Sequence, residues 1–169
     1  AKGVLEEKGY EVELLNADVA PVFASVSRKK ADVFMDAWLP VTMKDYIDQY
    51  GDQIEFIGEV YDSARVGLVV PQYVTIDSIG ELAAHKGQFS SEIVGIDAGA
   101  GIMKTTDKAI GDYGLDGYKL LTSSSSTMLA SLQKAMEKEA WIVITGWTPH
   151  WMFDRYPLKF LHDPKGTYG

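Results

Sequence analysis

Short apolar runs rich in β-branched residues, each closed by Gly or Pro, constrain this chain more than any other feature. Three carry the pattern. Residues 64–70 end at Pro71; Ile93-Val94-Gly95-Ile96-Asp97 leads into the glycine turn Ala98-Gly99-Ala100-Gly101; Trp141-Ile142-Val143-Ile144-Thr145 leads into Gly146-Trp147-Thr148-Pro149-His150-Trp151. Runs of this length and composition read as buried strands. Residues at helical spacing lie between them and supply the crossovers that parallel strands need, so the pattern specifies an α/β sheet.

The remaining elements fit the same alternation. Residues 1–8 have helical spacing and stop at Gly9, while 10–15 alternate apolar and polar as a strand does. A helix over 19–27 is entered through Asp18 and Pro21, a strand over 31–38 ends at Trp38, and Thr42 can cap a helix over 43–50 that Gly51 stops. Residues 54–60 are weakly extended. Asp77 or Ser78 opens a short helix to His85, and the glycine turn opens another over 102–112. After a short strand at 118–121, the run Ser123-Ser124-Ser125-Ser126 caps a helix that buries Met128, Leu129, Leu132, Ala135 and Met136 on one face. Residues 158–161 alternate as a last strand.

The β-α-β-α pattern occurs twice, with 64–70 between. The expectation is a two-lobed α/β fold in which each lobe is a mostly parallel sheet flanked by helices: lobe A over 1–63, lobe B over 64–156, and a return segment to lobe A over 157–169. The opening helix has no N-cap and the last strand has no element after it, so the chain is expected to be truncated at both ends, with an incomplete first lobe.

With 169 residues, of which 46% are apolar, a real core is within reach. The formal charge of −8, with no basic cluster beyond Arg28-Lys29-Lys30, argues against nucleic acid or an anionic membrane surface as partner. Absence of cysteine removes disulfides and thiolate zinc sites. Val66-Gly67-Leu68-Val69-Val70, one of the longest apolar runs, falls far short of a spanning helix.

Two features point to a binding site. In Gly99-Ala100-Gly101-Ile102, glycines allow close approach of a ligand to the backbone, and the first N–H groups of a helix attract an anion. The third glycine of a dinucleotide fingerprint is missing and no Gly-Lys-Ser/Thr follows, so a bare turn that binds nothing is an equal alternative. Trp38 and Trp147 both stand at expected strand ends beside a proline, where lining a pocket is favoured over filling the core. Indole faces attract cations, quaternary ammonium groups above all. His85, His150 and His162 are scattered and lack metal-site spacing. His150 is a candidate polar wall, although a structural, hydrogen-bonded histidine is the favoured reading. Asp36 and Asp97 could serve as acid or base groups at strand ends, but such residues more often cap a loop. No metal or cofactor is expected.

Ala37-Trp38-Leu39-Pro40, Gly67-Leu68-Val69-Val70-Pro71, Gly95-Ile96-Asp97-Ala98-Gly99-Ala100-Gly101-Ile102-Met103 and Gly146-Trp147-Thr148-Pro149-His150-Trp151 resemble the glycine betaine-binding proteins of osmoprotectant ABC transporters over essentially the whole chain. The resemblance implies a type II periplasmic-binding fold that closes on its ligand, an extracytoplasmic location, and a membrane permease as partner. It also implies a cage of three tryptophans around the trimethylammonium head, with the ligand carboxylate on a Gly-Ile pair of amides and a histidine. Carried over, Trp38 and Trp147 are cage walls, and Gly101 and Ile102 are the amide donors. The third tryptophan belongs to a motif before the opening helix. Met43 stands where the histidine is expected, five residues after Trp38, which implies weaker carboxylate binding or a ligand with a different anionic end.

The competing readings are an α/β enzyme working through Asp36 or Asp97, and a binding domain fused to its permease. No nucleophile elbow, metal cluster or complete cofactor fingerprint supports the first. Choline, carnitine or a sulfonium analogue would fit the same site as glycine betaine.

Overall fold

The computed structural model describes residues 1–169, which divide into two compact units: Ala1–Ala37 with Asp45–Gly58, and Trp38–Lys44 with Glu59–Gly169. The first unit holds α1 (Lys2–Glu7), α2 (Val19–Ser27), α3 (Lys44–Tyr50, whose first residue belongs to the second unit) and a 3-10 turn at Gly51–Gln53. Its centre is aromatic. Phe23 is buried, stacked on Tyr46 at 5.0 Å and edge-on to Phe34 at 5.3 Å.

The expected strands over 10–15 and 31–38 do not form, and 54–60 joins no ladder either. A strand exists through the partner that takes its backbone hydrogen bonds. None of these segments has such a neighbour, and Tyr10, Leu14, Leu15, Val33, Met35, Phe56, Ile57 and Val60 stay exposed. Alternation of side chains identified segments able to pair; it could not supply the partner.

The second unit contains β1 (Arg65–Pro71), a 3-10 helix (Ile79–His85), β2 (Glu92–Val94), α4 (Gly101–Asp112), β3 (Lys119–Leu121), α5 (Ser125–Met136), β4 (Ile144–Thr148), α6 (Met152–Arg155) and β5 (Leu158–Phe160). One five-stranded sheet runs β3-β2-β4-β1-β5. β2 is parallel to β3 and β4, whereas β1 is antiparallel to both β4 and β5. Four strands therefore point one way and β1 the other, which makes this a mixed α/β sheet.

Burial follows the apolar runs. Leu68, Val69 and Val70 of β1, Ile93 of β2 and Ile144 of β4 are fully buried. α4 packs against β1, β3 and β4. α5 lays Met128 and Leu132 onto the core, where the Met128 sulfur accepts from the Thr145 hydroxyl at 3.5 Å. Residue pairs 78/81 and 124/127 fix two helix starts: Ser78 forms a reciprocal capping box with Glu81, and the Ser124 hydroxyl accepts the Thr127 N–H. Residues 157–169 belong to this unit, with β5 paired along β1.

Candidate functional site

The turn that ends at α4 is built by Asp97. Its carboxylate accepts the Gly99 N–H at 3.1 Å and its carbonyl the Ala100 N–H at 3.2 Å, while Met103 N–H donates to the Ala100 carbonyl at 3.0 Å. Asp97 thus shapes the loop, as such residues commonly do. The N–H groups of Gly101 and Ile102 donate to no acceptor of the protein. Two oriented donors remain at the positive end of a twelve-residue helix.

What sits against this helix start is the turn of residues 38–44. A Cβ on Gly101 would lie 1.9 Å from the Thr42 carbonyl oxygen and 2.6 Å from the Thr42 Cγ2. Only glycine permits that approach. The turn itself closes between Trp38 and Met43: Met43 N–H donates to the Trp38 carbonyl at 3.0 Å, and the Met43 thioether accepts the Trp38 N–H at 3.3 Å. Met43 is 7% exposed and its sulfur is engaged within the turn, while the Trp38 side chain is half-buried. Trp38, Met43, Gly101 and Ile102, some 60 positions apart in sequence, therefore share one corner of the second unit.

Trp147 is the last residue but one of β4, opposite Val66 of β1, at the strand end where the sequence had put it. The ladder continues through Gly146, where a Cβ would come within 2.5 Å of Val69. His150 meets the Trp147 ring edge-on at 5.0 Å and stacks on Trp151 at 5.5 Å. Its Nδ1 accepts the Met152 N–H at 3.1 Å, which leaves the proton of the neutral ring on Nε2. Burial lowers the His150 pKa and favours that neutral form. The ring lines an open recess of about 410 Å³ with Thr148, Pro149, Trp151, Phe153 and Asp154. Both tryptophans stand one residue before a cis X-Pro bond, Leu39-Pro40 and Thr148-Pro149.

A pair of oriented amides at a helix start suits the anionic end of a ligand. A model of the substrate-binding domain of ABC-type glycine betaine transport systems matches residues 1–169. The chain belongs to that family. This substrate-binding domain is 47% identical over 112 residues to the glycine betaine/carnitine transport binding protein GbuC of Listeria monocytogenes, a match covering 65% of this chain and 35% of that protein. Its fold superposes with a TM-score of 0.94 on lactococcal OpuAC in its closed, glycine betaine-bound conformation, at 40% identity over 99% of this chain and 65% of that one. The glycine betaine/L-proline-binding protein ProX of Borrelia burgdorferi gives 0.93 at 37% identity, over 99% and 64%. The chain spans less than two thirds of each of these relatives. Its family is one of transport proteins and not of enzymes.

Sequence reasoning missed Thr42, whose carbonyl abuts Gly101, because no spacing rule links a turn to a helix so far along the chain. It also missed Thr105 and Thr106, which are buried and bonded to the carbonyls of Gly101 and Ile102.

Proposed function

We propose that this chain binds glycine betaine or a close quaternary ammonium relative on the extracytoplasmic side of a membrane and delivers it to an ABC permease. The observation that carries the reading is the seating of the Trp38 turn against the α4 N-terminus, where the Gly101 and Ile102 amides have no protein acceptor. A trimethylammonium head cannot donate hydrogen bonds and is weakly hydrated, so aromatic faces hold it without a buried carboxylate whose desolvation would be costly. The carboxylate end takes the two amides and the helix dipole. Trp38 and Trp147 are cage walls in this reading, His150 orients Trp147 from the edge, and Met43 shapes the turn at the anionic end.

No helix is long and apolar enough to cross a membrane. Titration calorimetry with glycine betaine, on protein of verified intact mass, tests the reading. Binding that Trp147→Ala weakens by at least about 2 kcal/mol, roughly thirtyfold, with the fold retained, supports it. Undiminished affinity in the variant removes Trp147 from the site, and no binding by the unsubstituted chain overturns the reading for this chain.

A further inference from the structure

α4 carries a second layer of hydrogen bonds along its first turn. Thr105 donates its hydroxyl to the Gly101 carbonyl at 3.2 Å, and Thr106 donates to the Ile102 carbonyl at 2.7 Å. Thr106 is fully buried, and its oxygen in turn accepts the hydroxyl of Tyr168 at 2.9 Å, itself 6% exposed. A buried relay therefore runs Tyr168 to Thr106 to Ile102. Burial raises the Tyr168 pKa well above the ordinary phenol, so the relay keeps its proton.

Tyr168 is held firmly. Its N–H donates to the Asp163 carboxylate at 2.8 Å, the other oxygen of which takes the Tyr113 hydroxyl at 2.5 Å. Thr167 donates to Asp112 at 2.8 Å and Lys165 N–H to the Tyr113 oxygen at 2.8 Å. Burial alone would raise the Asp163 pKa, but bonds from Tyr113 and from the N–H groups of Tyr168, Thr167 and Gly166 outweigh it and hold the carboxyl below its usual range. Residues 163–168 thus lie clasped along α4. At the far end, a Cβ on Gly169 would meet Val41 at 3.3 Å, so the same segment reaches the turn that carries Trp38.

The geometry points to Thr105, Thr106 and Tyr168 as positioning residues for the ligand's anionic end, an inference that rests on the betaine-binding reading. The physical reason lies in the peptide unit. The Gly101 carbonyl and the Ile102 N–H belong to one amide, so a hydroxyl donated to that carbonyl draws electron density from the nitrogen and makes the N–H a better donor. Hydrogen bonds in chains strengthen one another by about 10–30% each in a low-dielectric surrounding. Thr105 acts on the amide that faces the ligand. Thr106, backed by Tyr168, locks the next peptide unit and fixes the direction in which Ile102 N–H points. Threonine also satisfies its own buried hydroxyl by bonding back to residue i−4, which any helix allows; the Tyr168 hydroxyl donated to Thr106 is what this helix start has beyond that.

The test is Thr105→Val, close in shape, with Thr105→Ser as rescue and Tyr168→Phe as the independent second variant. Dissociation constants for glycine betaine and for choline, which has no carboxylate, are measured beside thermal unfolding, and the Ile102 amide proton shift is read by NMR in the free protein. The expected result is glycine betaine weakened about two- to threefold by Thr105→Val, choline unchanged, the Ile102 proton moved upfield, and Ser restoring both. Tyr168→Phe should give a smaller loss with the same selectivity. Equal weakening of both ligands, or an unmoved Ile102 proton, overturns the inference. Failure of the unsubstituted chain to bind glycine betaine sinks the receptor reading and this inference with it; an unmoved ratio of affinities in a chain that does bind sinks this inference alone.

Discussion

Gly101→Ala adds one methyl group at the closest approach in the site. The new Cβ would sit 1.9 Å from the Thr42 carbonyl oxygen, 2.6 Å from its Cγ2 and 2.7 Å from its carbonyl carbon, against the 3.4 Å at which ordinary contact begins. The deficit is 1.5 Å, and it is met by backbone, so a rotamer change cannot relieve it. Either α4 or the turn of residues 38–44 must move. α4 is packed on three strands and clasped by residues 163–168, so the turn gives way. Overpacking of this kind costs about 1–3 kcal/mol. Alanine returns at most about 1 kcal/mol over glycine in a helix, less in its first turn. The melting temperature should fall by roughly 2–8 °C, at about 2–4 °C per kcal/mol for a chain of this size. In the proposed reading, where the turn carries Trp38 as a cage wall, binding should suffer more: losing one desolvated wall would cost about 2 kcal/mol, or roughly thirtyfold in the dissociation constant. Differential scanning fluorimetry and titration with glycine betaine read both quantities. Gly111→Ala serves as control: its Cβ meets nothing within 4 Å, and it should stabilise by up to about 1 kcal/mol without touching affinity. Unchanged affinity and an unchanged or raised melting temperature in Gly101→Ala would refute the seating of the turn on the helix.

A further outcome concerns pH. Because the folded pKa of His150 lies below its ordinary value of 6.5, the unfolded chain binds the proton first; the contribution of His150 to stability is full above about pH 6.5 and is lost as pH falls below it toward the folded value. His150→Gln should flatten the melting-temperature profile just below about pH 6.5, and an identical slope in the variant would show that another group titrates there. Met43→His should tighten a carboxylated ligand more than choline, since it places a donor at the turn; equal effects on both, measured by titration, would mean that the position does not face the anionic end.

Much of the second unit is legible in the sequence because its strands carry their own partners. The runs at 64–70 and 141–145 are apolar enough to demand burial, and each pairs with the other in β1 and β4. The ends shift because the ladder and not hydrophobicity sets them: β4 extends to Thr148 since Arg65 and Val66 stand opposite Thr148 and Trp147. Reversal of β1 was not legible, as an apolar run has no direction. In the first unit the same signals mislead. Val33, Met35 and Leu14 have strand character and sit exposed, because alternation records what a segment can pair with and no neighbour is there to pair. For the candidate site, glycine at the start of a helix and tryptophan beside proline were visible in the sequence as the features on which the proposed binding rests. Thr105 and Thr106 were not, since threonine inside a helix looks only like a weak helix former.

The two tryptophans are held by different physics, and this decides how the site can respond to change. Trp147 is part of a ladder: its backbone is paired with β1, and its ring is met from the side by His150. Trp38 belongs to a turn whose bonds include Met43 N–H to the Trp38 carbonyl, Lys44 N–H to the Val41 carbonyl and the Trp38 N–H to the Met43 thioether, and which is seated on a helix through a missing Cβ. Damage to β1 or β4 should therefore unfold the unit before it moves Trp147, whereas a small change at Gly101 should shift Trp38 at a cost of only a few degrees in melting temperature. In the proposed betaine-binding reading, Trp147 would be the rigid wall and Trp38 the adjustable one, so that tuning of head-group fit would fall on the turn and anchoring of the anion on the α4 amides that the same turn touches.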